Sequence, residues 1–207
     1  AGLLALSGWR PGTPLYDPMC GSGTFSTEAA LWASGLPIQA GRKHFAFMDW
    51  SDFDQDVWKE VRREAMASIQ PVETTIFASD EHGGAVRQTM QSLEDADVES
   101  LVQVKQLDFF KLEPQTEGGF LVFNPPYGER MDPGDVVGLY EQIGDRLKFH
   151  WSGFDAWIIS SNLEALKRVG LRPHKRHPVF NGSLECKWAG FSMYKGSKSD
   201  QFKTKPS

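Results

Sequence analysis

Residues 13–34, TPLYDPMCGSGTFSTEAALWAS, predict a β-strand, a glycine-containing loop and an α-helix in direct succession. The strand covers residues 13–17 and ends at Asp17, and the helix covers residues 24–34. Glycines between a strand and a helix let the backbone approach a ligand closely and leave helical N–H groups directed at it. The segment therefore predicts a nucleotide-type binding loop at the edge of a parallel α/β sheet.

The glycine loop differs from two common nucleotide-binding motifs. A dinucleotide fingerprint, GxGxxG, would require glycine at position 26, where Ser26 stands. A P-loop would require a GK[ST] sequence, which does not follow the loop. These departures disfavour a nicotinamide oxidoreductase and a P-loop nucleotidase.

Beyond this loop, short β-rich runs alternate with helical stretches, a pattern typical of parallel βαβ units. The predicted strands after the first cover residues 74–80, 101–108, 119–123 and 155–161. The predicted helices after the first cover residues 54–69, 84–93 and 135–151. An aromatic and acidic stretch, residues 41–56, indicates an insertion before the second strand.

The C-terminal part has a different pattern. Residues 177–180 and 187–194 are strand-like, and Asn181-Gly182 between them is a strong turn signal. We therefore expect the sheet to close with an antiparallel hairpin. Residues 1–195 are expected to form one catalytic domain, followed by a flexible basic tail over residues 196–207.

Composition limits the possible context of the domain. The chain of 207 residues is long enough for one α/β core, and residues 1–6 look like the end of a helix without a start signal, so we expect a missing upstream domain. No apolar run reaches the roughly 18 residues that span a bilayer, which predicts a cytoplasmic protein without a membrane partner. Cys20 and Cys186 form no CxxC pair and no HExxH motif occurs, so we expect no metal.

Charge is unevenly distributed. The net charge of −5 is unfavourable for binding a polyanion, but residues 165–207 carry ten lysines and arginines against two acids. This basic C-terminal part is compatible with a nucleic-acid partner, although a solvated face and a charged tail would explain it equally well.

Three acids, Asp17, Asp80 and Asp108, each end a predicted strand. Each alone is explained as a helix N-cap or a solvated strand end, but together they are expected to converge on one crevice. Three carboxylates would repel a pyrophosphate and favour a cofactor with a positive centre, such as S-adenosylmethionine. Asp80 suits a ribose diol and Asp108 an adenine amine. Phe109 either packs on the adenine face or belongs to the core.

The fourth predicted strand runs into Asn124-Pro125-Pro126-Tyr127. Two prolines cannot continue a central strand, so the backbone leaves the sheet with unpaired carbonyl groups. The side-chain oxygen of Asn124 and the carbonyl of Pro125 can accept the hydrogens of an exocyclic amine and orient its lone pair, without a strong general base. Tyr127 would stack on a base drawn out of its own stack, although a simple turn with a surface tyrosine also fits the motif.

The segments DPMCGSGTF, NPPYGER and NGSLEC resemble the bacterial large-subunit ribosomal RNA guanine-N2 methyltransferases, in which a THUMP domain precedes a Rossmann-like catalytic domain. The similarity covers nearly the whole chain, including the insertion GRKHFAFMDW. It implies a class I methyltransferase fold, a seven-stranded, mostly parallel sheet with an antiparallel C-terminal hairpin and helices on both faces. The THUMP domain is absent from this sequence, and His82-Gly83-Gly84 differs from the residues usual after the second acid.

The resemblance also implies residue roles. The cofactor-binding residues would be Asp17, Pro18, Cys20, Gly21, Ser22, Gly23, Asp80, Asp108, Phe109 and Asn124. The catalytic loop would comprise Asn124, Pro125, Pro126 and Tyr127. The implied activity is S-adenosylmethionine-dependent methylation of guanine N2 in RNA, with ribosomal RNA favoured. Because adenine-N6 and protein glutamine methyltransferases share the NPPY tetrapeptide, transfer RNA guanine-N2 and adenine-N6 methylation stay open, as does an inactive scaffold that binds the cofactor and RNA.

Overall fold

The computed structural model describes residues 1–37, 39–67, 69, 71–126 and 133–194. The described residues contain seven β-strands: β1 (Leu15–Asp17), β2 (Ile76–Asp80), β3 (Val102–Gln106), β4 (Gly119–Phe123), β5 (Phe154–Ser160), β6 (Lys175–Asn181) and β7 (Leu184–Ser192). The α-helices are α1 (Gly2–Ser7), α2 (Thr24–Ser34), α3 (Gln55–Ala67), α4 (Gly83–Asp95), α5 (Pro133–His150) and α6 (Leu163–Arg168). Short 3-10 turns cover Ala46–Asp49, Glu99–Leu101 and Phe109–Lys111.

The seven strands form one sheet in the order β3-β2-β1-β4-β5-β7-β6. Strands β1 to β5 pair in parallel, whereas β7 runs antiparallel to both β5 and β6. This topology confirms the predicted fold class, including the antiparallel C-terminal hairpin. The strand order reverses between β1 and β4, and open α/β sheets bind ligands beyond the carboxyl ends of the strands at such a reversal.

Helices cover both faces of the sheet, as predicted. On one face α5 and α6 bury an apolar cluster that includes Tyr140, Ile143 and Leu166. On the other face α1, α2 and α4 bury a second cluster that includes Leu4, Ala30 and Leu93. Adjacent residues of β1 contribute to opposite clusters, because successive side chains of a strand point to opposite faces. No helix among the described residues is long and apolar enough to cross a membrane.

The insertion packs less tightly than its sequence predicts. The predicted apolar face of α3 is present, but none of its residues is buried, and Val57 and Val61 are 59% and 50% exposed. The ring of Trp58 contacts the rings of Phe45 and Phe47 in the insertion, at centroid distances of 5.4 Å and 5.2 Å respectively. The helix therefore packs against the aromatic rings of its own insertion.

Other differences concern element bounds and one missed helix. Residues 163–168 form α6, although no helix is predicted there, because a helix of six residues has too few turns to show a periodicity. The predicted helix over residues 84–93 extends to Asp95. The predicted tail, residues 196–207, lies outside the described residues.

Two glycines of α5 offer a test of this packing. Gly144 lies against Val169, the residue that follows α6, and a Cβ added at Gly144 would overlap the carbonyl oxygen of Val169. We expect Gly144→Ala to lower the free energy of unfolding by about 3 kcal/mol, because the overlap is with backbone and cannot be relieved by a rotamer change. At Gly138 a Cβ would meet nothing within 4 Å, so we expect Gly138→Ala to raise the free energy of unfolding by up to about 1 kcal/mol. Urea denaturation of both variants measures these changes, and equal stability would contradict the packing.

Candidate active site

Four polar side chains lie at or just beyond the carboxyl ends of neighbouring strands. Asp17 ends β1, Asp80 ends β2 and Asn124 follows β4 directly. Asp108 follows β3 by two residues. Because these four strands are parallel neighbours in the sheet, the four side chains share one edge, where the sequence predicts a binding crevice.

The two glycines of the loop after β1 have different surroundings. Both adopt a left-handed conformation, with φ of 56° at Gly21 and 78° at Gly23. A Cβ at Gly21 would meet no described atom within 4 Å, so the space beside it is open. A Cβ at Gly23 would lie 2.7 Å from the Thr89 side chain. Gly21 therefore leaves room for a ligand, whereas Gly23 allows α2 and α4 to approach each other.

Thr89 fixes the loop from α4. Its buried hydroxyl can donate to the carbonyl of Gly21 at 3.0 Å or to the sulfur of Cys20 at 3.2 Å. Thr89 is not predicted from the sequence, because a threonine in the middle of a helix more than 60 positions from the loop carries no local signal.

Asp80 connects β2 to the same loop. The backbone N–H of Gly21 donates to Asp80 Oδ2 at 3.1 Å, and that of His82 donates to Oδ1 at 3.0 Å. A carboxylate oxygen has two acceptor positions, so each oxygen of Asp80 keeps one for a further donor. The same side chain can thus hold the loop and still bind a ligand.

Asp17 is the most deeply buried acid of the site, with 1% of its surface exposed. The Ser26 hydroxyl donates to Oδ2 at 2.8 Å, while Oδ1 has no hydrogen-bond partner within the described part of the chain. Burial raises the pKa of Asp17 to about 7, against the effect of the Ser26 hydrogen bonds, and the charge of Asp80 raises it further. Ser26, which excluded the dinucleotide motif, thus has a structural role that the sequence analysis did not predict.

The other predicted loop residues differ in accessibility. Pro18 is buried and Ser22 is exposed. Cys20 is 7% exposed, and burial together with the charge of Asp17 raises the pKa of its thiol to about 12. The thiol is therefore neutral at physiological pH and is neither a nucleophile nor a base.

Asp108 and Phe109 mark the end of β3. Asp108 Oδ1 accepts a hydrogen bond from the N–H of Phe110 at 2.9 Å and caps the following 3-10 turn. Phe109 is 2% exposed and packs against Phe123 and Trp151, with ring centroids 5.0 and 6.2 Å apart. The structure therefore favours the core interpretation of Phe109, and Asp108 is left as the accessible polar group at this strand end.

The proline loop begins beside the glycine loop. Tyr16 of β1 pairs with Leu121 of β4, and paired strands lie about 4.8 Å apart, so Asn124 leaves the sheet next to the start of the loop after Asp17. Asn124 and Pro126 are exposed, whereas Pro125 is buried. Tyr127, the fourth predicted catalytic residue, lies outside the described residues.

Comparison with known proteins identifies the family. Residues 1–190 match the family model described as "RMKL-like, methyltransferase domain". The chain belongs to this family. The family expected from the sequence is thereby confirmed, and the RMKL-like domain includes the whole sheet except the last two residues of β7.

Relatives of this RMKL-like domain include two curated proteins and a crystal structure. A Synechocystis protein named "Putative RNA methyltransferase" is 36% identical over 93% of this chain and 50% of its own length. "Ribosomal RNA large subunit methyltransferase K/L" of Shewanella baltica is 34% identical over 95% of this chain and 29% of its own length. The crystal structure of SMU.472, titled "a putative methyltransferase complexed with SAH", superposes with a TM-score of 0.87 at 28% identity, over 94% of this chain and 52% of that one. The chain thus spans half or less of these curated relatives.

The raised pKa of Asp17 predicts a pH-dependent stability. Between about pH 4 and pH 7 the folded protein retains a proton on Asp17 that the unfolded chain has lost, so the free energy of unfolding falls as pH rises through this window. Asn at position 17 cannot ionise. We therefore expect the free energy of unfolding of Asp17→Asn to fall by up to about 4 kcal/mol less than that of wild type over this pH window. Denaturation of the ligand-free variant and wild type at pH 4, 5, 6, 7 and 8 measures the difference. The exposed control Asp52→Asn should follow wild type, and parallel curves for Asp17→Asn would contradict the prediction.

Proposed function

We propose that this domain binds S-adenosylmethionine at the loop after β1 and methylates the exocyclic N2 amine of guanine in RNA, ribosomal RNA being the favoured substrate. One observation carries the proposal: the buried Asp17 oxygen that has no partner among the described residues lies in the same loop region as the open space at Gly21, at the edge where Asn124 leaves the sheet. Membership in a methyltransferase domain family and a relative complexed with SAH support the cofactor. The names of the curated relatives support RNA.

The residues of the loop fit this cofactor. A buried carboxylate is stabilised by a cationic partner, and the free oxygen of Asp17 would accept from the ammonium group of the methionine part. The open space beside Gly21 would admit that part next to the backbone. Pro18, Cys20, Ser22 and Gly23 would complete the loop around it.

Asp80 and Asp108 would hold the nucleoside part. The unused acceptor positions of Asp80 suit the two hydroxyl groups of a ribose, which both need acceptors. Asp108, with 28% of its side chain exposed, would accept from the adenine amine. Phe109 is left out of this set because its ring is enclosed by the core.

Asn124 and Pro125 would activate the substrate amine. The bound cofactor supplies an electrophilic methyl group on a sulfonium. The oxygen of Asn124 and the carbonyl of Pro125 would accept the two amine hydrogens, which weakens the conjugation of the nitrogen lone pair with the ring and directs it towards the methyl group. The two oxygens would also stabilise the positive charge that develops on the nitrogen as its bond to the methyl carbon forms and the sulfonium S–C bond breaks, until the nitrogen loses its proton to solvent. Tyr127 would stack on the extruded base.

Substitution of Asn124 separates binding from chemistry. We expect Asn124→Ala to lower the rate of methyl transfer by about 100-fold or more, because one of two acceptors is lost, with cofactor affinity retained. Asn124→Asp keeps an acceptor oxygen and should retain more activity than the alanine variant. Single-turnover assays with labelled cofactor measure the rates in the full-length protein. Equal turnover in wild type and Asn124→Ala would rule out this role.

The substrate is tested by transfer of a labelled methyl group to unmodified ribosomal and transfer RNA, followed by nucleoside analysis. N2-methylguanosine in ribosomal RNA is the expected product. N6-methyladenosine would contradict the base, and label confined to transfer RNA would contradict the RNA class. Intact cofactor binding without methylation of any RNA would favour the scaffold alternative.

Asp80 offers an independent test of the cofactor site. We expect Asp80→Ala to weaken S-adenosylmethionine binding by about tenfold or more, since it removes charge-assisted hydrogen bonds to the ribose and releases the Gly21 N–H. Glu81→Gln, a change at the exposed neighbouring residue, should leave the affinity unchanged. Calorimetric titration of both variants measures the difference, and unaltered affinity in Asp80→Ala would count against the ribose role.

A further inference from the structure

A second cleft lies between α6 and the β6–β7 hairpin. Its volume is about 380 Å³, and its lining includes four cationic side chains above an apolar floor. The cations are Lys167, Arg172, Arg176 and Lys187. Leu166 and Phe191 belong to the floor and are almost fully buried.

The cleft has the opposite charge to the chain as a whole. Its lining contains no acid in the part of the chain that the structure describes, although the net charge of the whole chain is −5. Lys167 and Lys187 form ion pairs with Glu164 and Glu185, whose side chains are largely exposed outside the cleft. Arg172 has no carboxylate within ion-pair distance in the described ranges, and the same holds for Arg176. Two guanidinium groups are thus available for an anionic ligand.

The position of the cleft connects it to the candidate active site. Lys187 pairs with Ser160, the last residue of β5, and β5 neighbours β4, after which Asn124 leaves the sheet. The hairpin continues past the end of β5 by three residues of β7, so its tip projects beyond the same edge of the sheet.

An exposed aromatic ring stands on this projecting tip. Phe180 is 73% exposed and pairs with Glu185, two residues from Lys187 along β7. Paired residues and residues two apart on a strand point to the same face, so Phe180, Lys187 and Arg176 share the face that forms the cleft. Glu185 shares this face as well and forms its ion pair with Lys187, not with either arginine. Proteins that bind single-stranded nucleic acid combine a positively charged groove with aromatic side chains on which bases stack.

We propose that this cleft binds single-stranded RNA next to the nucleotide that is methylated, an inference that rests on the proposed function for its choice of substrate. The guanidinium groups of Arg172 and Arg176 contact phosphates, and Lys187 contacts a phosphate nearer to the active site. A base at the hairpin tip stacks on Phe180. The strand then passes over the end of β5 to reach Asn124.

The main experiment measures RNA binding by the full-length protein with Arg172 and Arg176 both changed to alanine. The probe is a short fluorescein-labelled single-stranded RNA, followed by anisotropy over a range of KCl concentrations. We expect about tenfold weaker binding. The slope of log K against log [KCl] should become less negative by about 1.4, because two phosphate contacts are lost. The double variant Lys59→Ala/Lys105→Ala removes the same charge elsewhere and should behave as wild type.

A second variant tests the stacking contact. Phe180→Ala should weaken RNA binding by about fivefold or more while leaving the salt dependence unchanged, because no charge is removed. Phe180 is exposed, so circular dichroism and thermal unfolding are expected to match wild type. Normal folding together with unchanged RNA affinity would remove the ring from the proposed site.

Further measurements separate this inference from the proposed function. If both hold, Arg172→Ala/Arg176→Ala raises KM for RNA with little effect on kcat and none on S-adenosylmethionine affinity. Unchanged RNA affinity and salt dependence in that variant would overturn the proposal that the cleft binds RNA, even if the enzyme methylates RNA. RNA binding through the cleft without methyl transfer would instead refute the proposed activity alone. Polyglutamate that binds as tightly as RNA at the same salt concentration would show that the cleft is an acidic-peptide site and overturn the proposal.

Discussion

The hydrogen bond from the Gly21 N–H to Asp80 is the interaction on which the arrangement of the site depends. It joins the end of β2 to the loop that follows β1, so two adjacent strand ends act as one unit. Thr89 adds a second connection from α4 to the same loop. Because α4 follows β2 directly, β2 and α4 together hold the glycine loop that follows β1 in its conformation.

Close packing supports this arrangement at the start of α2. Gly23 allows Thr89 to approach to a distance that any side chain at position 23 would prevent, and Ser26, in the first turn of α2, donates to the buried carboxyl group of Asp17. Asp17 therefore cannot move away from the low-dielectric interior, where its charge is unfavourable without a partner. The fold therefore holds an acid whose ionised form is disfavoured by burial, at a place where a cationic ligand would stabilise that form.

The sequence predicted those features that follow from strand order and missed those that depend on contacts between distant residues. The strand-end positions of Asp17, Asp80 and Asn124 follow from the βαβ pattern, because parallel strands bring their carboxyl ends to one edge. Thr89 and the partner of Asp17 could not be predicted, since both depend on how helices pack. The position of Phe109 in the sequence was equally compatible with packing on adenine and with a place in the core. Only its enclosure by Phe123 and Trp151 distinguishes the two roles. The periodicity of α3 likewise predicted an apolar face without indicating what covers it.

Charge is separated across the sheet. Carboxylates occupy the ends of β1, β2 and β3, whereas the cationic cleft lies against β7 and β6, on the other side of β5. Asn124, a neutral acceptor, follows β4 between these two regions. A polyanion is repelled by the carboxylates and attracted to the cleft, while a cationic cofactor has the opposite preference. The two ligands would therefore approach from opposite sides and meet at the strand end where neutral oxygens can hold an amine, which also explains how a chain of net charge −5 could use RNA as its substrate.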